Sequence, residues 1–319
     1  MAREQGTGNK EKMNWEVVGI LKNLRTKELK NEEITDILLE NRGIKTKKQR
    51  KEFFNPVSLK KISLKELKIN EKSVEKAVKR IREAVKTNEQ ICIYGDYDAD
   101  GICATAILWE CLYSLNKNAF PHIPNRFSEG YGLNADSVQK LKTQNSKLKL
   151  IITVDNGIVA NEAVEVANKL GIDVIITDHH QPRTALTSSR GLRPRVGGAS
   201  IRGKKGYDYP NAFAIIHTTQ ICGSGIAWIL ARELSRKLST SYQLLTTNLE
   251  LVAIGTIADQ LPLLGPNRSF AKYGLEALNN TKRTGLLALF QEAGISFKGP
   301  TLHLQTRDIG TYEVNFVIA

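Results

Sequence analysis

The stretch YGDYDADG, residues 94–101, places Asp96, Asp98 and Asp100 within five positions. Like charges this close repel one another, so a positive partner normally sits among them. Apolar ICIY precedes the cluster and ICATAILWECL follows it. The first reads as a strand and the second as a buried helix, which makes the turn between them suited to a cation. Three further short motifs carry related chemistry: VDNG (154–157), TDHH (177–180) and IADQ (257–260). Each also has an ordinary reading. Aspartate before glycine is common in turns, and DNG is a turn signal in its own right. In TDHH, two of the five histidines stand side by side after an apolar run. Neighbouring residues on an extended segment point in opposite directions. That assigns His179 as a ligand and turns His180 toward a substrate phosphate, with a hydrogen-bonded core histidine as the alternative. Asp259 lies in apolar ELVAIGTIADQLPL, where an unpaired charge is costly. Metal coordination accounts for it, and so does a hydrogen-bonded helix end.

Carboxylates and imidazole without thiolate favour Mn²⁺ or Mg²⁺ over structural zinc. Two divalent ions about 3.5–4 Å apart need a shared ligand and several single ones. Asp98, Asp100, Asp155, His179 and Asp259 supply that number, so the four motifs together predict a dimetal phosphoesterase.

The elements that must position these residues follow from periodicity. Residues 14–86 read as helical and basic: NEEITDILLENRGI has apolar positions at helical spacing, Gly43 is a stop signal, and EKSVEKAVKRIREAVK is amphipathic. From residue 90 the rhythm changes to apolar strands alternating with helices. QICIYGD, AFPHIP, LKLIITVD, IDVIITD and NAFAIIH are strands; NADSVQKLKTQ, with Asn134 as N-cap, and NEAVEVANKLG are helices. This alternation predicts an α/β fold with a mostly parallel sheet flanked by helices, preceded by a small helical lead-in. Asp96, Asp155 and Asp178 fall at or just past the carboxyl ends of three strands, where open α/β sheets bind their ligands. The lead-in spans 1–88 and the α/β domain 89–290. Within the latter, residues 183–206 contain seven Arg or Lys, five Gly and no acid, and read as a basic loop or disordered insertion.

Length and composition set the frame. The 319 residues suffice for two ordinary domains or one large one, and 41% apolar with 25% charged residues is the composition of a soluble globular chain. No apolar run approaches the ~18–20 residues of a membrane span. The N-terminal MAREQGTGNKEKMNW has no apolar signal segment, so a cytoplasmic protein is expected. The four cysteines show no CxxC spacing, which fits reduced, buried thiols. Forty-six basic against thirty-three acidic residues leave a net charge of +13. A basic surface suits a polyanion, because phosphate contacts gain affinity through counterion release; a solubilising charge is the other reading.

The combination resembles the DHH phosphoesterase superfamily, and within it the RecJ-type single-strand-specific exonucleases, from about residue 35 onward. LLENRGI and FFNP look like that group's lead-in, and YGDYDADGICATAIL like its first motif. HIPNRFSEGYGLN (122–134), VDNGI, TDHHQP and IGTIADQLPLLGPNR follow in the family's order. The resemblance implies Asp98, Asp100, Asp155, His179 and Asp259 as metal ligands, with Asp155 as the bridge. These five and His180 are the implied catalytic set. Asp96 and Asp178 take supporting positions, and Arg126 and His180 contact phosphate, a salt bridge within the loop being the alternative for Arg126. It further implies two Mn²⁺ or Mg²⁺ ions and 5′→3′ release of mononucleotides from single-stranded DNA in repair and recombination. The expected protein is a monomer with no membrane association, and a single-strand-binding protein or a helicase is a candidate partner. Related enzymes for short oligonucleotides or cyclic dinucleotides are a second reading; the Asp96 pattern, the charge and the basic lead-in argue against it. A non-catalytic RecJ-like replication scaffold is a third, and such proteins tend to lose ligands that are all present here. The insertion after DHHQP is longer than usual for the family and IIHTTQICGSG is shorter. The family continues into a DHHA1-type domain, so residues 291–319 are expected to open a linker toward it.

Overall fold

A computed structural model describes residues 31–184, 206–238, 248–295 and 308–319. The chain divides into two compact units, Met1–Asn55 and Pro56–Ala319. In the first, α1 (Asn31–Asn41) and α2 (Lys47–Phe54) are joined by a turn through Gly43. Thr46 and Gln49 form a capping box at the start of α2, and Arg50 pairs with Asp36 across the two helices.

The second unit holds, in order, a single 3₁₀ turn (Leu59–Lys61), α3 (Glu71–Lys86), β1 (Gln90–Tyr94), α4 (Ala99–Leu115), β2 (Ala119–His122), α5 (Ala135–Gln144), β3 (Leu148–Val154), α6 (Asn161–Lys169) and β4 (Asp173–Asp178). A two-residue antiparallel ribbon follows, β5 (Arg183–Thr184) with β6 (Tyr207–Asp208). Then come β7 (Ala214–His217), α7 (Gly223–Leu238), α8 (Leu249–Ala258), α9 (Gly265–Leu278), α10 (Thr284–Glu292), α11 (Thr311–Glu313) and a π-helical turn (Val314–Ile318). The five longer strands form one parallel sheet in the order β2-β1-β3-β4-β7. Most of the predicted basic insertion, 185–205, lies outside the described residues; β5 is its first two residues and β6 follows directly after it.

The sheet is buried on both faces, which is why its strands are apolar throughout rather than alternating. In β1, Ile91 and Ile93 face one core while Cys92 and Tyr94 face the other; Ile175 and Val174 divide β4 the same way. The first core is closed by α3, α4, α7, α8 and α9, the second by α5 and α6. Residues from Pro56 through α3 thus belong with the sheet: Val74, Ala77, Val78, Ile81 and Ala84 are all buried in the first core. Asn134 caps α5 as its type suggests, accepting from the Ser137 N–H at 2.9 Å. All four cysteines are buried free thiols. Among the described residues no helix is long and apolar enough to cross a membrane.

One buried cation locks the 3₁₀ segment to this core. Arg232 of α7 is only 2% exposed and donates to the carbonyls of Leu59 (3.2 Å) and Ile62 (2.8 Å). Replacing Arg232 by Ala strands both acceptors and leaves a cavity, so urea unfolding should show a loss of about 2–4 kcal/mol. A loss near zero would mean that the segment is held by its apolar contacts alone.

Candidate metal centre

Four chain turns meet where β1, β3 and β4 end. After β1, Asp98 caps α4 by accepting from the Gly101 N–H at 2.8 Å, and Asp100 lies in that helix's first turn. After β3, Asp155 adopts a left-handed backbone, φ +64°, with its N–H donating to the Thr177 carbonyl at 3.0 Å. Buried Asn156 donates to the carbonyls of Tyr94 (3.2 Å) and Val154 (2.9 Å) and accepts from the Leu133 N–H (3.3 Å). It thereby ties β1 and β3 to the loop before α5. Asp178, His179 and His180 follow at the end of β4, and Asp259 is the C-cap of α8.

Their side chains converge in three overlapping groups: Asp96–Asp98–Asp155, Asp155–His179–His180 and Asp100–His179–Asp259. Within each group one ligand atom per residue lies within 4.8 Å of the others. Asp155 belongs to two groups and so does His179, whose Nε2 is 3.1 Å from Asp155 Oδ1 and whose Nδ1 is 3.7 Å from Asp259 Oδ2. Asp155 Oδ1, Asp259 Oδ2 and Asp96 Oδ2 are buried and accept no hydrogen bond among the described residues. Orphaned carboxyl oxygens beside an imidazole are a donor set that fits hard divalent cations.

His180 is differently placed. Its Nδ1 sits 2.8 Å from Asp178 Oδ1, which also accepts the His180 N–H at 3.0 Å; Asp178 Oδ2 accepts the Ile158 N–H at 2.8 Å. The other ring nitrogen, Nε2, lies 3.4 Å from the Tyr131 hydroxyl. Tyr131 meets Tyr97 edge to face at 6.1 Å, and the guanidinium of Arg126 lies 5.3 Å from the Tyr97 ring centre. Arg126, exposed, stands at the end of this row of rings rather than among the carboxylates.

Charge follows the same division. Burial first, then Asp100 and Asp98, push the Asp155 carboxyl well above the usual carboxylate range. Burial is also the leading cause that raises Asp259 and Asp96. For Asp178, burial is outweighed by the hydrogen bonds from His180 and Ile158, and the carboxyl is held low. The Asp178 hydrogen bond raises His180 against the effect of burial. Burial and the charges of Asp96, Asp155 and Asp178 push Tyr131 upward, keeping its hydroxyl protonated.

Supporting residues that carry no ligand chemistry escaped the sequence reading. Asp100 is 3% exposed, and its two oxygens accept the N–H groups of Gly223 (2.6 Å) and Ser224 (3.0 Å), the first residues of α7. A helix N-terminus thus holds this carboxylate in place. The approach is close enough to exclude side chains: a Cβ at Gly255 would lie 2.1 Å from Asp100 Oδ1, and one at Gly223 would lie 2.4 Å from Asp155 Oδ1. Nothing in the local sequence at the start of α7 marks it as the seat of a carboxylate 123 residues earlier.

Known proteins are similar to this chain in sequence and in fold. The family model for the DHH family, N-terminal domain, matches residues 90–256. The single-stranded-DNA-specific exonuclease RecJ of Bacillus subtilis (strain 168) is 39% identical over 224 residues, 70% of this chain and 26% of that protein. A crystal structure of exonuclease RecJ bound to manganese is similar with a TM-score of 0.59 at 29% identity, covering 77% of this chain and 55% of that one. RecJ in complex with Mn²⁺ from Thermus thermophilus gives a TM-score of 0.61 at 26% identity, covering 88% and 35%. The chain spans between 26% and 37% of the length of the first curated relatives it matches.

Two outcomes follow. A folded carboxyl pKa above its unfolded value contributes stability at pH below the ordinary carboxylate range and loses it as pH rises toward the raised value. A cation that replaces the Asp155 proton removes that loss, so added Mn²⁺ should raise the melting temperature more at about pH 8 than at about pH 6, with proton release on binding. A pH-independent shift would exclude Asp155 as the ligand. Separately, Gly255→Ala should leave the circular-dichroism spectrum unchanged and weaken Mn²⁺ binding by about 10- to 100-fold in calorimetry.

Proposed function

The chain belongs to the DHH family, and from that premise we propose that it is a metal-dependent phosphodiesterase that removes mononucleotides from the 5′ end of single-stranded DNA, in repair and recombination. The observation that carries this reading is the overlap of the three ligand groups at Asp155 and His179. Overlap is what a pair of neighbouring ions requires, since at least one ligand must serve both. Asp98, Asp100, Asp155, His179 and Asp259 would hold two Mn²⁺ or Mg²⁺ ions, the metals with which the RecJ structures are complexed. When bound, such ions make water a nucleophile near neutral pH and offset the negative charge of a phosphodiester.

The chain's own residues account for the rest. Asp155 and Asp100 keep fixed positions because a strained backbone orients the first and the amides of α7 hold the second. Asp178 fixes the His180 ring and favours its charged form, leaving Nε2 as a donor toward a phosphoryl oxygen. Tyr131, a neutral phenol, stands beside that nitrogen as a second donor. Exposed Arg126 is free to take a further phosphate of the strand while its guanidinium stays near the Tyr97 ring. In the reaction, water adds to phosphorus, the bond to the 3′ oxygen breaks, and that oxygen leaves with a proton as a hydroxyl. The products are a nucleoside 5′-monophosphate and a strand one residue shorter with a new 5′-phosphate. A net charge of +13 suits a polyanionic substrate.

Asp155→Ala should abolish Mn²⁺-dependent release of mononucleotides from a 5′-labelled single strand while leaving the circular-dichroism spectrum and cooperative unfolding intact. Hydrolysis retained by the folded variant would overturn the bridging role. Hydrolysis of a dinucleotide in preference to a long strand would overturn the substrate.

A further inference from the structure

We propose that Phe127 is a stacking platform for a nucleobase of the single strand whose phosphate lies at the metal centre. The inference rests on the function proposed above and adds a residue that the hydrolytic chemistry does not itself require.

Phe127 is 95% exposed, the most exposed of the large hydrophobic side chains among the described residues. A phenyl ring gains nothing from such a position in the folded chain, since its apolar surface stays in water. The loop beneath it is nevertheless built to hold it there. Asn125 Oδ1 accepts the N–H groups of Phe127 (3.0 Å) and Ser128 (3.1 Å). Glu129 Oε2 accepts the Asn125 N–H (2.9 Å), Glu129 Oε1 pairs with Lys140 Nζ (2.8 Å), and Asn134 Nδ2 donates to the Glu129 carbonyl (2.8 Å). Five polar contacts on either side of one residue fix the backbone and leave the ring in solvent. A ring presented this way loses little conformational freedom when something stacks on it.

The loop also stands at the end of a continuous row. From the metal centre the contacts run His179–His180 (4.5 Å between rings), His180–Tyr131 (6.3 Å), Tyr131–Tyr97 (6.1 Å) and Tyr97–Arg126 (5.3 Å), and Phe127 is the next residue. Aromatic rings with an interleaved guanidinium make up a surface on which bases stack while phosphates find cations. Every base has a π face, so a lone phenyl ring accepts any of them, which matches a nuclease that must pass all sequences. The ligand class is therefore the nucleobase of a single strand, without sequence preference.

The test uses the full chain with Ca²⁺ in place of Mn²⁺, a hard cation that occupies the carboxylate oxygens while turnover is held off, and fluorescence anisotropy with two 5′-phosphorylated oligonucleotides. One carries ordinary bases and the other has abasic residues over its 5′-terminal nucleotides. Phe127→Ala should weaken binding of the first roughly tenfold, leave the second within about twofold of wild type, and not move the melting temperature, as expected of an exposed side chain. Phe127→Trp should restore binding of the base-bearing strand. A 2-aminopurine placed near the 5′ end should be quenched by the wild type and not by Phe127→Ala. Equal affinities of Phe127→Ala and wild type for the ordinary strand would overturn the proposal, and so would equal weakening for both strands, which would assign Phe127 to the loop or to a protein partner. A wild-type chain that binds Mn²⁺ but ignores both strands would overturn the nuclease reading and this inference together, a result distinct from the other two.

Discussion

Carboxylates that repel one another are held together out of water, and the rest of the site is arranged around that constraint. Asp96 and Asp155 are each 1% exposed, and Asp100 is 3% exposed. In a buried setting an unpaired carboxylate costs several kcal/mol, and burial accordingly raises the Asp155, Asp96 and Asp259 carboxyls. Among the described residues, His179 is the one imidazole set between two of them, within 3.1 Å of Asp155 and 3.7 Å of Asp259. Asp155 also carries a left-handed backbone, a conformation that costs about 1–3 kcal/mol for such a residue and persists only where the surroundings enforce it. Here they do: its N–H is committed to Thr177, and Asn156 beside it is bonded to Tyr94, Val154 and Leu133. Local strain and electrostatic repulsion are both tolerated for the sake of one arrangement of oxygens.

The parallel sheet makes that arrangement reachable. From β1 the chain moves outward to β2, then returns to lay β3 on the other side of β1. Connections leave in opposite directions at that point, and a crevice opens outside the carboxyl ends of the two strands. Asp96 and Asp98 enter it from β1, Asp155 from β3, and His179 from β4 one strand further on. The helices then complete it from outside the sheet. The first turn of α7 supplies two amides to Asp100, and the last turn of α8 brings in Asp259. Both helices pack through the same core as α4, so the carboxylates ride on elements whose relative positions are set by buried apolar contacts rather than by loops.

The parts of this that were legible in the sequence are those encoded locally. Apolar runs such as LKLIITV and IDVIITD mark buried strands, Asn134 marks a helix start, and acid or imidazole just past a strand end marks ligand chemistry. Residues whose meaning depends on a distant partner were not legible. Gly255 reads as an ordinary helix interior until the Asp100 carboxylate, 155 positions earlier in the chain, is seen against it. Tyr97 and Tyr131 read as loop aromatics until their rings are seen in contact. The sequence places the end of the lead-in near residue 88 because α3 is amphipathic and basic like the helices before it, and one exposed charged face looks much like another. Its apolar face packs on the core of the second unit, which begins at Pro56. Charge density describes the outside of a helix and says little about what its inside touches.

The adjacent histidines show how one strand end divides the site in two. His179 turns toward Asp155 and Asp259, while His180 is held by Asp178, a carboxylate whose oxygens are all committed to hydrogen bonds. Asp178 stays low and His180 is raised, so this pair carries its own compensating charges and adds little net field to the carboxylate cluster. The division matters for a polyanionic ligand. A phosphodiester approaching the bare cluster meets repulsion, whereas one approaching along His180, Tyr131 and Arg126 meets donors and a cation. Neutralising the inner half with divalent ions removes the repulsion without disturbing the outer half, because the two share a backbone segment but no hydrogen bond between His179 and Asp178 among the described residues. Under the proposed function, metal affinity and strand affinity would then be set by separate sets of contacts, meeting only at the phosphate between them.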